Sequence, residues 1–265
     1  MTLTYIIIAC LAGGTLSAGL ATLLAWNARP KLIPLFVSYA VGALLGVVFL
    51  DLLPHIFEST KDAHRAALWI LAGILAFFVL EKLVMWRHNH DHAGETEAAL
   101  AAPAHEHSHH HESHGRESSP WMIIIGDGFH NFTDGLAIAA AFTADFRLGV
   151  VTAVAITAHE LPQELGEVLV LMHSGFSRGR ALFWNLISSL ATLVGAVIAY
   201  FAIQSLAEYA IIFLCFAAAS MIYVAIADLI PGLHKRASRA DTIQQICLIG
   251  LGVGSIWLVQ NILPH

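Results

Sequence analysis

The feature that most constrains this chain is a series of eight apolar segments, each long enough to cross a bilayer. A helix that spans the hydrocarbon core needs about 20 mostly apolar residues. The segments run over 3–26, 33–57, 66–86, 120–143, 148–173, 180–203, 207–230 and 243–263. Backbone polar groups in lipid must be bonded within the protein, so such segments fold as helices. The sequence predicts an all-α polytopic membrane protein with eight transmembrane helices.

The composition agrees with this prediction. Hydrophobic residues make up 57% of the chain and charged residues 12%, whereas a soluble domain carries about 25% charged residues. The first apolar segment has no basic start and is long enough to span, so it is interpreted as a helix and not as a signal peptide. The three cysteines lie in separate apolar runs and indicate neither a disulfide framework nor a CxxC metal motif.

Basic residues predict the orientation, because cytoplasmic loops carry an excess of Lys and Arg. With the N-terminus outside, the inner loops hold ten basic residues and the outer loops hold three. The inner residues are Arg29, Lys31, Lys82, Arg87, Arg116, Arg178, Arg180, Lys235, Arg236 and Arg239, and the outer ones are Lys61, Arg65 and Arg147. We expect both termini to be extracytoplasmic.

The connection between the third and fourth spans has a different composition. Residues 87–118 hold nine of the sixteen His, among acidic, Ala and Ser residues. This composition predicts a disordered cytoplasmic loop between helices one to three (1–86) and helices four to eight (119–265), all within a single membrane domain, 1–265. Neutral imidazoles bind transition metals, so we expect the loop to collect metal, although a purely solubilising linker is the alternative. The expected metal-collecting residues are His105, His107, His109, His110, His111 and His114.

A short repeat relates the second and seventh spans. The sequences FLDLLP (49–54) and IADLIP (226–231) both place an Asp three residues before a Pro. The two spans run in opposite directions in the orientation above, and each is the middle of a terminal group of three. Inverted repeats of this kind are typical of transporters, so we predict an inverted 3+2+3 arrangement.

Polar residues cluster on the fourth and fifth spans. At about 100° per residue, Asp127, His130, Asn131 and Asp134 share an arc of about 100°. The fifth span carries a second polar face, which comprises His159, Glu160, Gln163, Glu164 and Glu167. Pro162 interrupts the hydrogen bonding of this helix and predicts a bend. Glycines at 126, 128, 135 and 166 are expected to allow close helix approach.

Energetics favour a metal site on these faces. Five unpaired carboxylates within two spans would cost on the order of 10 kcal/mol, and neither span holds a Lys or Arg near them. A divalent cation would supply the missing charge, and so would protons. Imidazole, carboxylate and amide oxygen on facing helices suit such a cation. Asp127 is expected to orient a ligating His, and Glu164 and Glu167 are assigned to a vestibule or to packing.

The remaining intramembrane polar residues carry weaker expectations. Asp51 and Asp228 are expected to line entry or exit paths. Ser188 offers either an oxygen ligand or a helix–helix hydrogen bond. His55 and His173 are expected to be either transient metal stops or simple surface histidines.

At this point a family resemblance becomes visible. HNFTDG (130–135) followed by HELPQELGE (159–167) resembles the ZIP family, the Zrt/Irt-like metal transporters, and the eight spans and the His-rich loop match too. The resemblance implies uptake of divalent metal, chiefly Zn²⁺ as the transported substrate, through a two-metal centre between spans four and five. Carried over by motif, the ligands would be His130, Asn131, Asp134, His159, Glu160 and Gln163. It further implies a homodimer with elevator-type alternating access.

The sequence departs from the family pattern HExPHExGD at two places. Gln163 replaces a His, and Glu167 replaces an Asp. A neutral Gln is the weaker ligand, which leaves open whether one metal or two are bound. The ligand set also accepts Cd²⁺, Fe²⁺ and Mn²⁺. We expect a bacterial inner-membrane protein with no nucleic-acid partner, and not an enzyme. The alternatives are an intramembrane metal-dependent hydrolase and a metal sensor that binds without transport.

Overall fold

The structure is a computed structural model that describes residues 1–26, 32–60, 62–91, 120–206, 209–236 and 238–263. These ranges form eight long helices, as predicted. The helices are α1 (Thr2–Trp26), α2 (Ile33–Ser59), α3 (Ala63–Asp91), α4 (Pro120–Ala144), α5 (Phe146–His173), α6 (Arg178–Ser205), α7 (Ala210–His234) and α8 (Arg239–Ile262). By length and composition alone, six are apolar enough to cross a membrane, and the other two are α4 and α5, which carry the polar motifs.

Short polar side chains fix where three of these helices begin. Asp145, Ser177 and Ser238 precede α5, α6 and α8, and each accepts a hydrogen bond from the backbone N–H three residues further on. Caps of this kind stabilise a helix start by about 1 kcal/mol. The start of α5 matters most for the site, and the helix then continues without interruption through Pro162.

Both copies of the short repeat adopt π-helical geometry within longer helices. The π segments are Val48–Leu52 in α2 and Val224–Leu229 in α7. They contain Asp51 and Asp228, and each is followed by a Pro in the first turn of the next α-helical stretch. A π turn is rare and occurs most often at functional sites. Its presence at both positions supports the predicted relation between α2 and α7.

Helix packing follows the same relation. An inverted repeat would exchange α1 with α6, α2 with α7, α3 with α8 and α4 with α5. When the helices are exchanged in this way, each of three packed pairs becomes another pair that is also packed. The pair α1–α5 becomes α6–α4, α2–α8 becomes α7–α3, and α2–α5 becomes α7–α4. The structure thus has the predicted 3+2+3 arrangement, in which α4 and α5 occupy the centre.

Two of the closest helix contacts are made at glycines. A Cβ added to Gly135 would lie 1.9 Å from the Thr192 carbonyl oxygen, and one added to Gly195 would lie 2.1 Å from that of Phe132. Gly42 and Gly252 make the equivalent contact between α2 and α8. The expectation of close approach was wrong for the other motif glycines, because a Cβ would have nothing within 4 Å at positions 126, 128 and 166.

The outer surface of the described helices carries many large apolar side chains. On α8, for example, Ile243, Ile246, Leu251 and Trp257 are all exposed. Such a continuous apolar exterior is unusual for a protein in water and is expected for one in lipid. Polar side chains face inward instead, and sixteen polar or charged residues of the described chain are buried.

Candidate metal centre

Three side chains from α4 and α5 converge at the middle of the helix bundle. The Nε2 atom of His159 lies 3.0 Å from Oδ2 of Asp134, and the Nε2 atom of His130 lies 3.4 Å from the same oxygen. The two Nε2 atoms are 3.1 Å apart. His130 and Asp134 share one face of α4 because they are four residues apart, and α5 places His159 opposite them.

The spacing of these atoms suits a small divalent cation. Ligands bound tetrahedrally to zinc at the usual bond lengths lie about 3.3 Å from one another. The three observed separations, 3.0, 3.1 and 3.4 Å, fall close to that edge length. Asp134 and His159 are 2% and 1% exposed, whereas the His130 side chain is 16% exposed. The cluster is therefore a buried N,N,O triangle with one side accessible.

Asn131 lies beside the cluster but its amide points elsewhere. Its Nδ2 donates to Oδ1 of Asp127 at 2.8 Å, and its Oδ1 accepts from the Thr192 hydroxyl on α6 at 3.1 Å. Asp127, which was expected to orient a His, accepts from Asn131 instead. The hydrogen bond between Asn131 and Thr192 joins α4 to α6 at the level of the cluster.

Two glutamates of α5 are also buried and face other helices. Ser17 of α1 donates to Oε2 of Glu160 at 3.2 Å, and Ser189 of α6 donates to Oε1 of Glu164 at 2.8 Å. Among the described residues, the second oxygen of each carboxylate has no hydrogen-bond partner. Glu160 and Glu164 thus lie in a polar layer between α1, α5 and α6, next to the cluster and separate from its three atoms.

A cavity of about 390 Å³ leads away from the cluster between α3, α4, α5 and α7. Its polar lining comprises Glu81, Asp127, His130, Thr133, Gln163, Glu167, Ser220, Tyr223 and Asp228. At its rim the Tyr223 hydroxyl donates to Glu81. The cavity brings Gln163, Glu167 and Asp228 to one space beside His130, and a path past Asp228 stays a prediction.

The other expected site residues are dispersed. Asp51 of α2 is 5% exposed and lies beside the first turn of α5, whereas His55 lines a separate cavity of about 360 Å³. His173 is exposed and bonds the Leu169 carbonyl, and Ser188 bonds carbonyls of its own helix. The six His expected to collect metal lie outside the described residues.

The contacts that Ser17 and Thr192 make from neighbouring helices were not predicted. Ser17 and Thr192 are single small polar residues in apolar runs, which is a weak signal because such residues serve general helix packing. Only the three-dimensional arrangement shows that they hold Glu160 and Asn131.

Comparison with known proteins places this centre in context. The family model for the ZIP zinc transporter matches residues 1–260. Zinc transporter ZIP13 homolog of Drosophila melanogaster is 28% identical, covering 90% of this chain and 80% of that protein. Zinc transporter zipt-7.2 of Caenorhabditis elegans is 34% identical, covering 86% of this chain and 58% of that protein. Human zinc transporter ZIP4 is 30% identical, covering 76% of this chain and 38% of that protein.

Proposed function

The chain belongs to the ZIP zinc transporter family, and from that premise we propose that it carries Zn²⁺ across the membrane into the cytoplasm through the cluster formed by His130, Asp134 and His159. One observation carries the proposal: three ligand atoms of these residues lie within 4.8 Å of one another between α4 and α5. Membership of a transporter family also decides against the intramembrane hydrolase, because its members are transporters and not enzymes.

The three residues have separate roles in this proposal. Asp134 supplies a negative charge to the cation, and the two imidazoles supply neutral nitrogen donors. A cation dissociates more readily from a site with two nitrogens and one carboxylate than from a closed site with four protein ligands. Such a site therefore suits a cation that must be released. Gln163 on the cavity wall completes the coordination with its amide oxygen when the ion enters from that side.

The resemblance to the family motif extends this ligand set. Asn131 and Glu160 would belong to a second, adjacent metal position, and each would have to turn away from its present partner, Thr192 or Ser17 respectively. We propose that Zn²⁺ occupies the first position and that the second is filled only at higher metal concentration. Cd²⁺, Fe²⁺ and Mn²⁺ compete for the same donors, with relative affinities that follow ligand softness.

The wider assignments are proposals of the same kind. Both termini face the extracytoplasmic side of a bacterial inner membrane, which directs the cavity beside His130 towards the cytoplasm. The protein functions as a homodimer, and the His-rich segment 87–118 collects metal. The excess of basic residues in the inner loops supports the orientation.

Zinc flux into liposomes tests the central proposal. The purified chain should admit Zn²⁺ to vesicles that contain a fluorescent zinc indicator, and His130→Ala or His159→Ala should reduce the rate at least tenfold. His173→Ala is the matched control, because this ring is exposed and bonds the Leu169 carbonyl of its own helix, away from the cluster. Isothermal titration on the same variants measures binding separately. Undiminished flux and affinity in both cluster variants would contradict the site.

A further inference from the structure

The eight helices pack as two groups of four. The first bundle consists of α1, α4, α5 and α6, and it contains the His–Asp cluster and the polar layer beside it. The second bundle consists of α2, α3, α7 and α8. The two bundles meet chiefly along two helix pairs, α2 with α5 and α4 with α7.

Most polar contacts between helices stay within one bundle. Asn131 with Thr192 and Ser189 with Glu164 lie within the first bundle. Tyr39 with Ser255, at 2.8 Å, lies within the second. In the described part of the chain, the side-chain hydrogen bonds and ion pairs that join one bundle to the other all come from a single residue, Arg147.

Arg147 lies in the first turn of α5 and contacts a polar group on the second bundle. Its Nη2 is 3.9 Å from Oδ1 of Asp51, and its Nη1 donates to the Gln260 carbonyl at 3.4 Å. The Gln260 side chain in turn donates to Oδ1 of Asp51 at 2.7 Å and to the Leu50 carbonyl at 3.2 Å. Asp51 and Leu50 belong to the π segment of α2, so Gln260 holds that segment to α8 and orients Asp51 towards Arg147.

These contacts lie at the end of the molecule opposite the open cavity. Arg147 precedes His159 by twelve residues, which places it about 18 Å from the cluster along the axis of α5. The cavity beside His130 extends in the other direction, past Gln163 and Glu167. The cavity beside His55 also lies at this end, but among the described residues its lining does not include His130, Asp134 or His159. Leu148 and Val151, which follow Arg147 on α5, are 3% and 0% exposed.

We propose that Arg147, Asp51 and Gln260 form a latch that holds the two bundles together at the closed end, and that this latch must separate for the cluster to become accessible from that end. The inference rests on the proposed transport function, because a cation that enters on one side and leaves on the other requires each end to open in turn. Arg147 and Asp51 are positioning residues, since they are too far from the cluster to contact the metal.

The physical basis of the latch is the burial of Asp51. Its side chain is 4% exposed, and that of Arg147 is 20% exposed. Removing Arg147 leaves a buried carboxylate with only Gln260 beside it, and such unpaired charges are strongly unfavourable. The substitution therefore destabilises the closed arrangement relative to one in which water reaches Asp51.

Cysteine protection measures this shift without relying on transport. Val151 is fully buried one turn beyond Arg147 on the same face of α5, so a Val151→Cys reporter reacts with a membrane-impermeant maleimide only when the closed end opens. The exposed Cys247 and the buried Cys215 are first replaced by Ser and Ala, and the buried native Cys10 remains as an internal control for general loosening. Peptide mass spectrometry then follows the two cysteines separately.

The expected result is a selective change at the reporter. Arg147→Ala and Asp51→Asn should each speed labelling of the reporter by at least about fivefold, the lower range for a coupling between sites. The double variant should be no faster than the faster single variant, because both remove the same pair. Arg178→Ala, which removes an Arg from the first residue of α6, should leave the rate unchanged.

Other outcomes overturn the latch. Unchanged labelling in both single variants, additive effects in the double variant, or equal acceleration at Cys10 would each show that the contact does not control opening. Gln260→Leu covers the case in which Arg147→Ala fails to fold, since it keeps both charges and should also speed labelling. Failure of wild-type zinc flux would refute the proposed function, whereas the labelling result depends only on the latch.

Discussion

Substitution of Gly135 by Ala offers a direct test of how the metal centre is held. An added Cβ would lie 1.9 Å from the Thr192 carbonyl oxygen, which is 1.5 Å short of the 3.4 Å at which ordinary contacts begin. The added Cβ is fixed to the α4 backbone and the Thr192 carbonyl is part of the α6 backbone. Neither can rotate away, so α4 and α6 must move apart. The bond between Asn131 and Thr192, now 3.1 Å long, would then exceed hydrogen-bonding distance.

The expected magnitude follows from three contributions. Overpacking of this kind costs about 1–3 kcal/mol, and loss of the buried hydrogen bond costs about 1 kcal/mol more. The higher helix propensity of Ala offsets about 1 kcal/mol. We therefore expect Gly135→Ala to destabilise the protein by about 1–3 kcal/mol, and to weaken zinc binding because Asp134 is the adjacent residue.

Equilibrium unfolding in mixed micelles titrated with SDS, followed by far-ultraviolet circular dichroism, measures the change. Gly128→Ala is the matched control, since it lies two turns earlier on the same helix and its Cβ would meet nothing within 4 Å. That variant should be unchanged or up to about 1 kcal/mol more stable. Equal stability of Gly135→Ala and wild type, or an equal loss in both variants, would refute the reasoning from close packing.

Three further outcomes are expected. Gln163→His adds an imidazole to the cavity wall beside His130 and should tighten zinc binding in isothermal titration; an unchanged or weaker affinity would place Gln163 outside the coordination sphere. Asp134→Asn removes the charged ligand and should abolish measurable zinc binding while leaving the circular dichroism spectrum unaltered; retained binding would argue against the cluster. Glu164→Gln keeps an acceptor for the Ser189 hydroxyl and should match or exceed wild-type stability, whereas Glu164→Leu removes this bond between α5 and α6, leaves the hydroxyl only the Asn185 carbonyl of its own helix, and should cost about 1 kcal/mol in the same micelle titration.

The architecture could be predicted from the sequence because lipid leaves few choices. A run of about 20 apolar residues has to be helical in a bilayer, and eight such runs give eight helices. The inverted relation between α2 and α7 was detectable from only six residues in each copy, and the matched π segments at Asp51 and Asp228 agree with it. The π geometry itself was not predicted, since the same Pro spacing is compatible with an ordinary bend.

The metal centre was predictable in part. Helical periodicity places His130 and Asp134 on one face and gives α5 its own polar face, and these faces do meet. The same periodicity cannot tell which helix lies on either side of that face. The helical angle places Asn131 and Glu160 on the polar faces that carry the cluster. In the structure, however, Asn131 is hydrogen-bonded to Thr192 and Glu160 to Ser17. Such choices depend on contacts between residues far apart in the chain.

The polar layer of the first bundle has an electrical consequence. Asp127, Asp134, Glu160 and Glu164 are all buried in helices of the first bundle, and zinc adds two positive charges to them. Displacing one elementary charge through a potential of 100 mV changes the free energy by about 2.3 kcal/mol. Because these carboxylates return in every transport cycle, the steady current per zinc ion counts only the transported ions, whereas the transient current that follows a voltage step on planar bilayers reports how much carboxylate charge moves through the field.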